Sequence, residues 1–153
     1  MIDAAILRYC KYQERCHSEV SNKLGEIGIY GADREIQIAL LIEEGVLNEE
    51  RFARSFARGR FRLKHWGRVK IKQHLKLKRV SDYCIKKAMT EIDPEEYEQT
   101  IIKAGARKMH ELRTEKNPLA RKVKVTRYLL QKGYEQDLIN DLMTEIELSA
   151  AEK

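Results

Sequence analysis

VSDYCIKKAMTEI (residues 80–92) and YEQDLINDLMTEI (residues 134–146) align at an offset of 54, with Ile85 on Ile139, Met89 on Met143 and an identical MTEI ending. The same offset pairs Ile71 and Leu75 with Val125 and Leu129, and an offset of 51 brings Val20, Leu24 and Ile29 onto Ile71, Leu75 and Val80. Apolar anchors thus recur at i, i+4 and i+9 in three places, and self-similarity at such a period marks a repeat architecture. The expected organisation is a first copy over 1–47, a second, basic copy over 48–93, a third over 94–148 and a flexible tail over 149–153.

Each copy reads as three short helices. In the first they fall near 3–15, 18–27 and 33–44, with Ser18 as a cap and Gly28, Gly31 and Gly45 at chain reversals. In the second they fall near 49–64, 68–78 and 82–92, where Asn48 and Ser81 are caps and His65-Trp66-Gly67 makes a break. In the third they fall near 95–113, 119–132 and 135–147. Asp93-Pro94 and Asn117-Pro118 each set a cap residue before a proline whose missing N–H costs a helix start nothing, and Gly133 ends the middle helix.

Composition agrees with this reading, because only two prolines and eight glycines interrupt a chain rich in Glu, Lys, Arg, Leu, Ala and Ile. The fold class expected is all-α, three tandem three-helix repeats packed into an elongated, curved array. A lone unit of ~45 residues buries too little apolar surface to stand comfortably by itself, so neighbours should stack. Nothing in the patterns requires a partner chain to complete the core, so a monomer is expected. No apolar run approaches the ~18 residues of a membrane span, and the first residues lack a signal peptide's pattern, so a cytoplasmic protein with no membrane contact is expected.

Charge is unevenly placed. Residues 51–79 hold 12 Lys or Arg and no Asp or Glu, and removing them from the net +6 leaves the rest at −6. Such a localised field attracts polyanions, nucleic acid or an acidic protein surface, whereas mixed charge mainly solvates. On a helix over 49–64, Phe52, Phe56, Gly59 and Leu63 define a core face, while Arg51, Arg54, Arg58 and Arg62 form a second stripe. On the next helix Ile71 and Leu75 face the core, and Arg68, Lys72, Lys76 and Arg79 form another basic stripe with Lys64 and Lys70 nearby. Binding is favoured over mere solvation because the run has no acidic residue of its own to pair with. The acidic segments 1–50 (net −5) and 81–102 (net −4) could still neutralise part of it. A second basic segment, 103–132, has ten Lys or Arg against two Glu and adds Arg121 and Lys124 as candidate contacts. Tyr128 there and Trp66 in the break could stack on a base, though packing is the commoner use of both.

No catalytic constellation is present: there is no GxxxxGK[ST], HExxH or GxSxG and no Gly-rich phosphate loop, so neither an enzyme nor a cofactor is expected. Cys10, Cys16 and Cys84 are odd in number and lack CxxC spacing, which points to buried or half-buried thiols rather than disulfides. Cys16-His17 finds no further ligands at zinc spacing, so no metal is expected.

The segment EEGVLNEERFARSFARGRFRLKHWGRVKIKQHLKLKRVSDYCIKKAM (43–89) resembles the signature region of the RecX family of recombinase regulators. Gly45, Val46, Leu47, Asn48, Glu49, Arg51, Phe52, Ala53, Gly67, Ile71 and Leu75 carry the likeness. RYCKYQERCHSEVSNKL (8–24) and KVKVTRYLLQKGYEQDLI (122–139) resemble the family's opening and closing segments. Three departures concern turns: Asn48 stands where Asp is common, Trp66-Gly67-Arg68 replaces Gly-Pro, and Lys78-Arg79-Val80 replaces Lys-Gly-Ile. The resemblance implies three tandem three-helix repeats, a role in recombination and DNA repair, and regulation of the RecA recombinase. That regulation is mainly inhibition of ATPase and strand exchange, by binding the RecA filament on single-stranded DNA. Two alternatives stay open on the residues alone. One is a helical protein that binds nucleic acid directly, without a recombinase; the other is an adaptor for an acidic protein.

Overall fold

The computed structural model describes residues 1–152, and among them there are nine α-helices and no strand. In chain order these are α1 (Ala4–Tyr12), α2 (His17–Glu26), α3 (Gly31–Glu43), α4 (Glu49–Lys64), α5 (Arg68–Leu77), α6 (Asp82–Met89), α7 (Pro94–Glu111), α8 (Pro118–Gln131) and α9 (Gln136–Ala151). The expected all-α class and threes of helices are present.

Local chemistry explains the boundaries. Side-chain oxygens of Asp3, Asn48, Ser81, Asp93 and Asn117 accept from the first free N–H groups of α1, α4, α6, α7 and α8, at 2.9–3.2 Å. The start of α2 differs from expectation. Cys16 is the N-cap, its N–H donating to the Glu19 carboxylate at 3.1 Å, while Ser18 lies inside the first turn and donates its hydroxyl to the Lys78 carbonyl at 2.6 Å. Helix α9 also continues through Ala151, so residues 149–151, expected in a flexible tail, are its last turn; Lys153 lies outside the described residues.

The three copies share more than apolar anchors. Each middle helix ends on the same backbone pattern, in which Ile29, Val80 and Tyr134 donate to Leu24, Leu75 and Leu129 at 2.9, 3.1 and 3.2 Å. The residue before each donor has positive φ: +85° at Gly28, +61° at Arg79 and +98° at Gly133. This is a glycine-type helix stop that satisfies carbonyls left over at the helix end. Arg79 occupies the left-handed conformation without being glycine, which costs on the order of 1 kcal/mol. The departure at Lys78-Arg79-Val80 therefore changes the residue and keeps the turn.

The described residues form two compact units, Met1–Arg58 with Gln73–Glu91, and Gly59–Lys72 with the chain from Ile92 onward. In the first, Ile6, Cys10, Val20, Leu24, Leu41 and Leu47 make one buried cluster. Phe52 and Phe56 are also buried there, their ring centroids 5.8 Å apart. In the second, Phe61, Tyr97 and Tyr134 pack ring against ring in sequence, the first pair tilted and the second edge-to-face, with centroids 5.8 and 5.6 Å apart. Ile101, Val125, Leu129, Ile139 and Ile146 are fully buried in that unit. Leu63, expected on the core face of α4, is instead 82% exposed, and Phe61 is buried in its place. The buried line Phe52, Phe56, Phe61 advances by four and then five residues and drifts around the helix away from Leu63.

Each unit contains the same kind of junction. In the first, the Ser18 hydroxyl near the start of α2 reaches the Lys78 carbonyl at the end of α5. In the second, the Gly67 N–H at the start of α5 donates to the Lys132 carbonyl at the end of α8 at 2.7 Å, and Val69 N–H donates to Gly133 at 2.9 Å. Gly67 and Gly133 touch backbone to backbone there, so the second junction is tighter. Tyr97 closes it, its hydroxyl accepting from Arg68 N–H at 2.9 Å and donating to Glu135. Burial, then the bond to Glu135, pushes the Tyr97 hydroxyl well above its ordinary pKa, so it stays a neutral donor.

Candidate nucleic-acid interface

The basic run is carried by α4, the turn after it and α5; Lys78 pairs with Glu19 at 3.1 Å, and most of the other cations fall into two groups. Arg51 pairs with Glu14 and donates to the Val46 carbonyl at 3.1 Å. Arg54 lies 3.0 Å from Glu50 and 2.6 Å from Glu91, and Arg58 lies 2.7 Å from the other oxygen of Glu91. Arg68 lies 2.8 Å from Glu135, with its guanidinium 4.1 Å from the Tyr97 ring centroid. These four arginines lock helices together and offer little unbalanced charge. The run's lack of internal acids did not leave them unpaired, because Glu14, Glu50 and Glu91 reach Arg51, Arg54 and Arg58 from the acidic segments on either side, and Glu135 reaches Arg68.

The second group points outward. Arg62, Lys64, Lys72, Lys76 and Arg79 are exposed, and among the described residues none of them forms an ion pair. Lys72 and Lys76 are one turn apart on α5, so their ammonium groups share a face. Lys70 is half-buried, its ammonium 4.5 Å from the Trp66 ring centroid, with the Arg60 guanidinium 5.5 Å from the same ring. Trp66 is therefore half-buried between cations rather than covered in a core.

The two candidates from the second basic segment have local partners. Arg121 donates to the carbonyls of Leu112, Arg113 and Glu115 at 3.2, 2.9 and 3.1 Å, closing the chain that leaves α7. Its guanidinium is committed to that cap. Lys124 lies 3.8 Å from Glu115, a loose and exposed pair. Sequence reasoning missed Lys103, Arg107 and Lys132 as site residues, although they belong to the same basic segment; they gather with His65 and Tyr128 around one cleft. The signal available was Lys103 and Arg107 at i, i+4.

Glu91 is the hub of the paired group. Hydrogen bonds from Arg58, then Arg54, hold its carboxyl below the usual carboxylate range. A carboxyl depressed by folding adds stability above its unfolded pKa of ~4.3, lost as pH falls through the folded value. Glu91→Gln should therefore flatten the acid side of the stability–pH profile. It should also free the Arg58 guanidinium, Arg54 keeping Glu50, and raise affinity for single-stranded DNA by about fivefold at 0.1 M salt where Arg58 finds a phosphate. Urea unfolding from pH 3 to 7 and an oligonucleotide titration measure the two effects; an unchanged profile and unchanged affinity would remove Glu91 from this role.

Among the described residues no three His, Cys, Asp or Glu side chains gather as a metal site, and no helix is long and apolar enough to cross a membrane. Cys10 and Cys16 are buried and Cys84 is half-buried, all as free thiols.

Comparison with known proteins places this arrangement. Residues 48–89 match the family model for the second three-helix domain of RecX, and residues 95–143 the model for the third. The chain is 30% identical over 141 residues to the regulatory protein RecX of Clostridium perfringens strain 13, covering 92% of this chain and 66% of that one. It is 34% identical over 121 residues to RecX of Shigella dysenteriae serotype 1, covering 76% and 68%. It spans 54% of a Lactobacillus johnsonii relative, so this chain covers about half to two thirds of the curated relatives' length. The crystal structure of RecX from Lactobacillus salivarius superposes with a TM-score of 0.85 at 25% identity, covering 94% of this chain and 93% of that one. The chain belongs to the RecX family of regulatory proteins.

Proposed function

We propose that this chain regulates the RecA recombinase by binding its filament on single-stranded DNA, and that it mainly inhibits ATP turnover and strand exchange. Membership of the RecX family supports a recombinase as the partner. The observation that carries the contact chemistry is the unpaired set Arg62, Lys64, Lys72, Lys76 and Arg79, exposed on and beside α4 and α5. Exposed cations without intramolecular partners gain from a polyanion because each phosphate they neutralise releases condensed counterions. Arg51, Arg54, Arg58 and Arg68 hold the helices that present them and contribute less directly.

Sedimentation of the protein with recombinase–DNA filaments, beside a titration on the bare oligonucleotide across a salt series, tests this reading. The expected result is co-sedimentation with filaments at salt concentrations where bare DNA no longer binds. Equal binding to bare DNA and to filaments, with the same salt slope, would favour a nucleic-acid-binding protein that needs no recombinase.

A further inference from the structure

Lys103 and Arg107 lie one turn apart on α7, Tyr128 is on α8, Lys132 immediately follows α8, and His65 is in the turn after α4. Together with Thr100 and Ala104 they line a cleft of about 210 Å³. Three fixed cations and a histidine line it, with no carboxylate among the lining residues. A larger cleft of about 590 Å³ in the first unit differs in that two carboxylates, Glu35 and Glu49, line it beside Arg34 and Arg79.

The cations of the smaller cleft lack counter-charges. Lys103 and Arg107 are exposed and form no ion pair among the described residues. The Lys132 ammonium is held in place by donating to the Lys64 carbonyl at 2.9 Å, which leaves two N–H donors. Burial, then the nearby Lys70, lowers its pKa, so an anion beside it would relieve an unfavourable charge. Tyr128 is half-buried, its ring flanked by the Lys108 ammonium at 5.0 Å from the centroid.

We propose that this cleft is a phosphate subsite that holds one phosphodiester of a single-stranded nucleic acid, with Lys103, Arg107 and Lys132 as donors and the Tyr128 ring as a platform for the adjoining base. Its size selects a segment of polymer, because clefts that enclose a free small molecule run to ~300–1,000 Å³. A phosphate group beside an aromatic ring is the repeating chemistry of single-strand recognition. The inference rests only on the single-strand part of the function proposed above and adds a contact outside the α4–α5 run. Its test contains no recombinase, so it can fail or succeed independently of that function.

The experiment titrates fluorescent oligothymidylate with the full chain, with Lys103→Ala/Arg107→Ala and with Tyr128→Ala, at several salt concentrations and with folding checked by circular dichroism. The double variant should bind about 25-fold more weakly at 0.1 M salt, with a salt slope lower by about 1.4, because single strands contribute ~0.7 per phosphate contact. Tyr128→Ala should weaken binding about fivefold or more with an unchanged slope, and Tyr128→Phe should restore it. An oligonucleotide with a neutral methylphosphonate backbone should bind the wild type no better than it binds the double variant. Affinities and slopes within twofold of wild type for a folded double variant would overturn the proposal. Competition by a free mononucleotide at the oligonucleotide's own affinity would overturn the choice of polymer.

Discussion

Gly67→Ala should lower the melting temperature by roughly 10 °C, corresponding to a loss on the order of 3 kcal/mol for a chain of this length. A Cβ at position 67 would lie 2.2 Å from both the carbonyl carbon and oxygen of Gly133, and 2.4 Å from the Tyr134 nitrogen. All three are backbone atoms, so no rotamer change can make room. The only escape is to separate the start of α5 from the end of α8, which breaks the 2.7 Å bond from Gly67 to Lys132 and the 2.9 Å bond from Val69 to Gly133. Gly67 is not in the left-handed region, so the requirement is for space rather than for φ. Gly59→Ala is the control, because no atom lies within 4 Å of a Cβ placed there, in mid-helix. That change should stabilise α4 by about 0.5–1 kcal/mol. A Gly67→Ala protein that melts within a degree of wild type would contradict the junction described for this unit.

The second large effect is on binding. Lys72→Ala/Lys76→Ala should weaken binding to single-stranded DNA about 25-fold at 0.1 M salt and reduce the salt slope by about 1.4, two phosphate contacts at ~0.7 each. Both side chains are exposed on α5, away from its buried Ile71 and Leu75, so stability should change by less than about 0.5 kcal/mol. Arg54→Ala/Arg58→Ala removes the same formal charge from the same basic run and should cost much less affinity. Those two guanidinium groups already face Glu91 at 2.6 and 2.7 Å, and removing them leaves that carboxylate to water rather than to a phosphate. Comparing the two double variants separates paired from unpaired charge at the same net charge. A larger loss from the Arg54/Arg58 variant would reverse the assignment of contacts made here.

Much of the architecture was legible in the sequence because repeats restate one pattern. The spacing of Val20, Leu24 and Ile29, repeated at Ile71, Leu75 and Val80, reports the same helix stop that the backbone bonds later show. Caps were legible at Asn48, Ser81, Asp93 and Asn117, since a short polar side chain before a helical stretch acts within three residues. Ser18 misled because Cys16, two residues earlier, caps the helix with Glu19 closing the turn. Leu63 misled because a strict i, i+4, i+7, i+11 line ignores the drift of a helix whose neighbours change along its length. The functional surface was less legible. Counting charge between residues 51 and 79 cannot show that Glu14 and Glu91, each 37 residues from its arginine, fold back onto Arg51 and Arg54. Nor can it show that Lys103, Arg107 and Lys132 meet His65, because that depends on the packing of α7 and α8 against the turn after α4.

The central claim is regulation of a recombinase through the unpaired cations, and the DNA-dependent ATPase of RecA filaments tests it most directly. Adding the wild-type chain at modest molar excess should reduce turnover, while the folded Lys72→Ala/Lys76→Ala protein should need at least tenfold more for the same reduction. ATP turnover unaffected by the wild-type chain, on filaments assembled on single-stranded DNA, would contradict it.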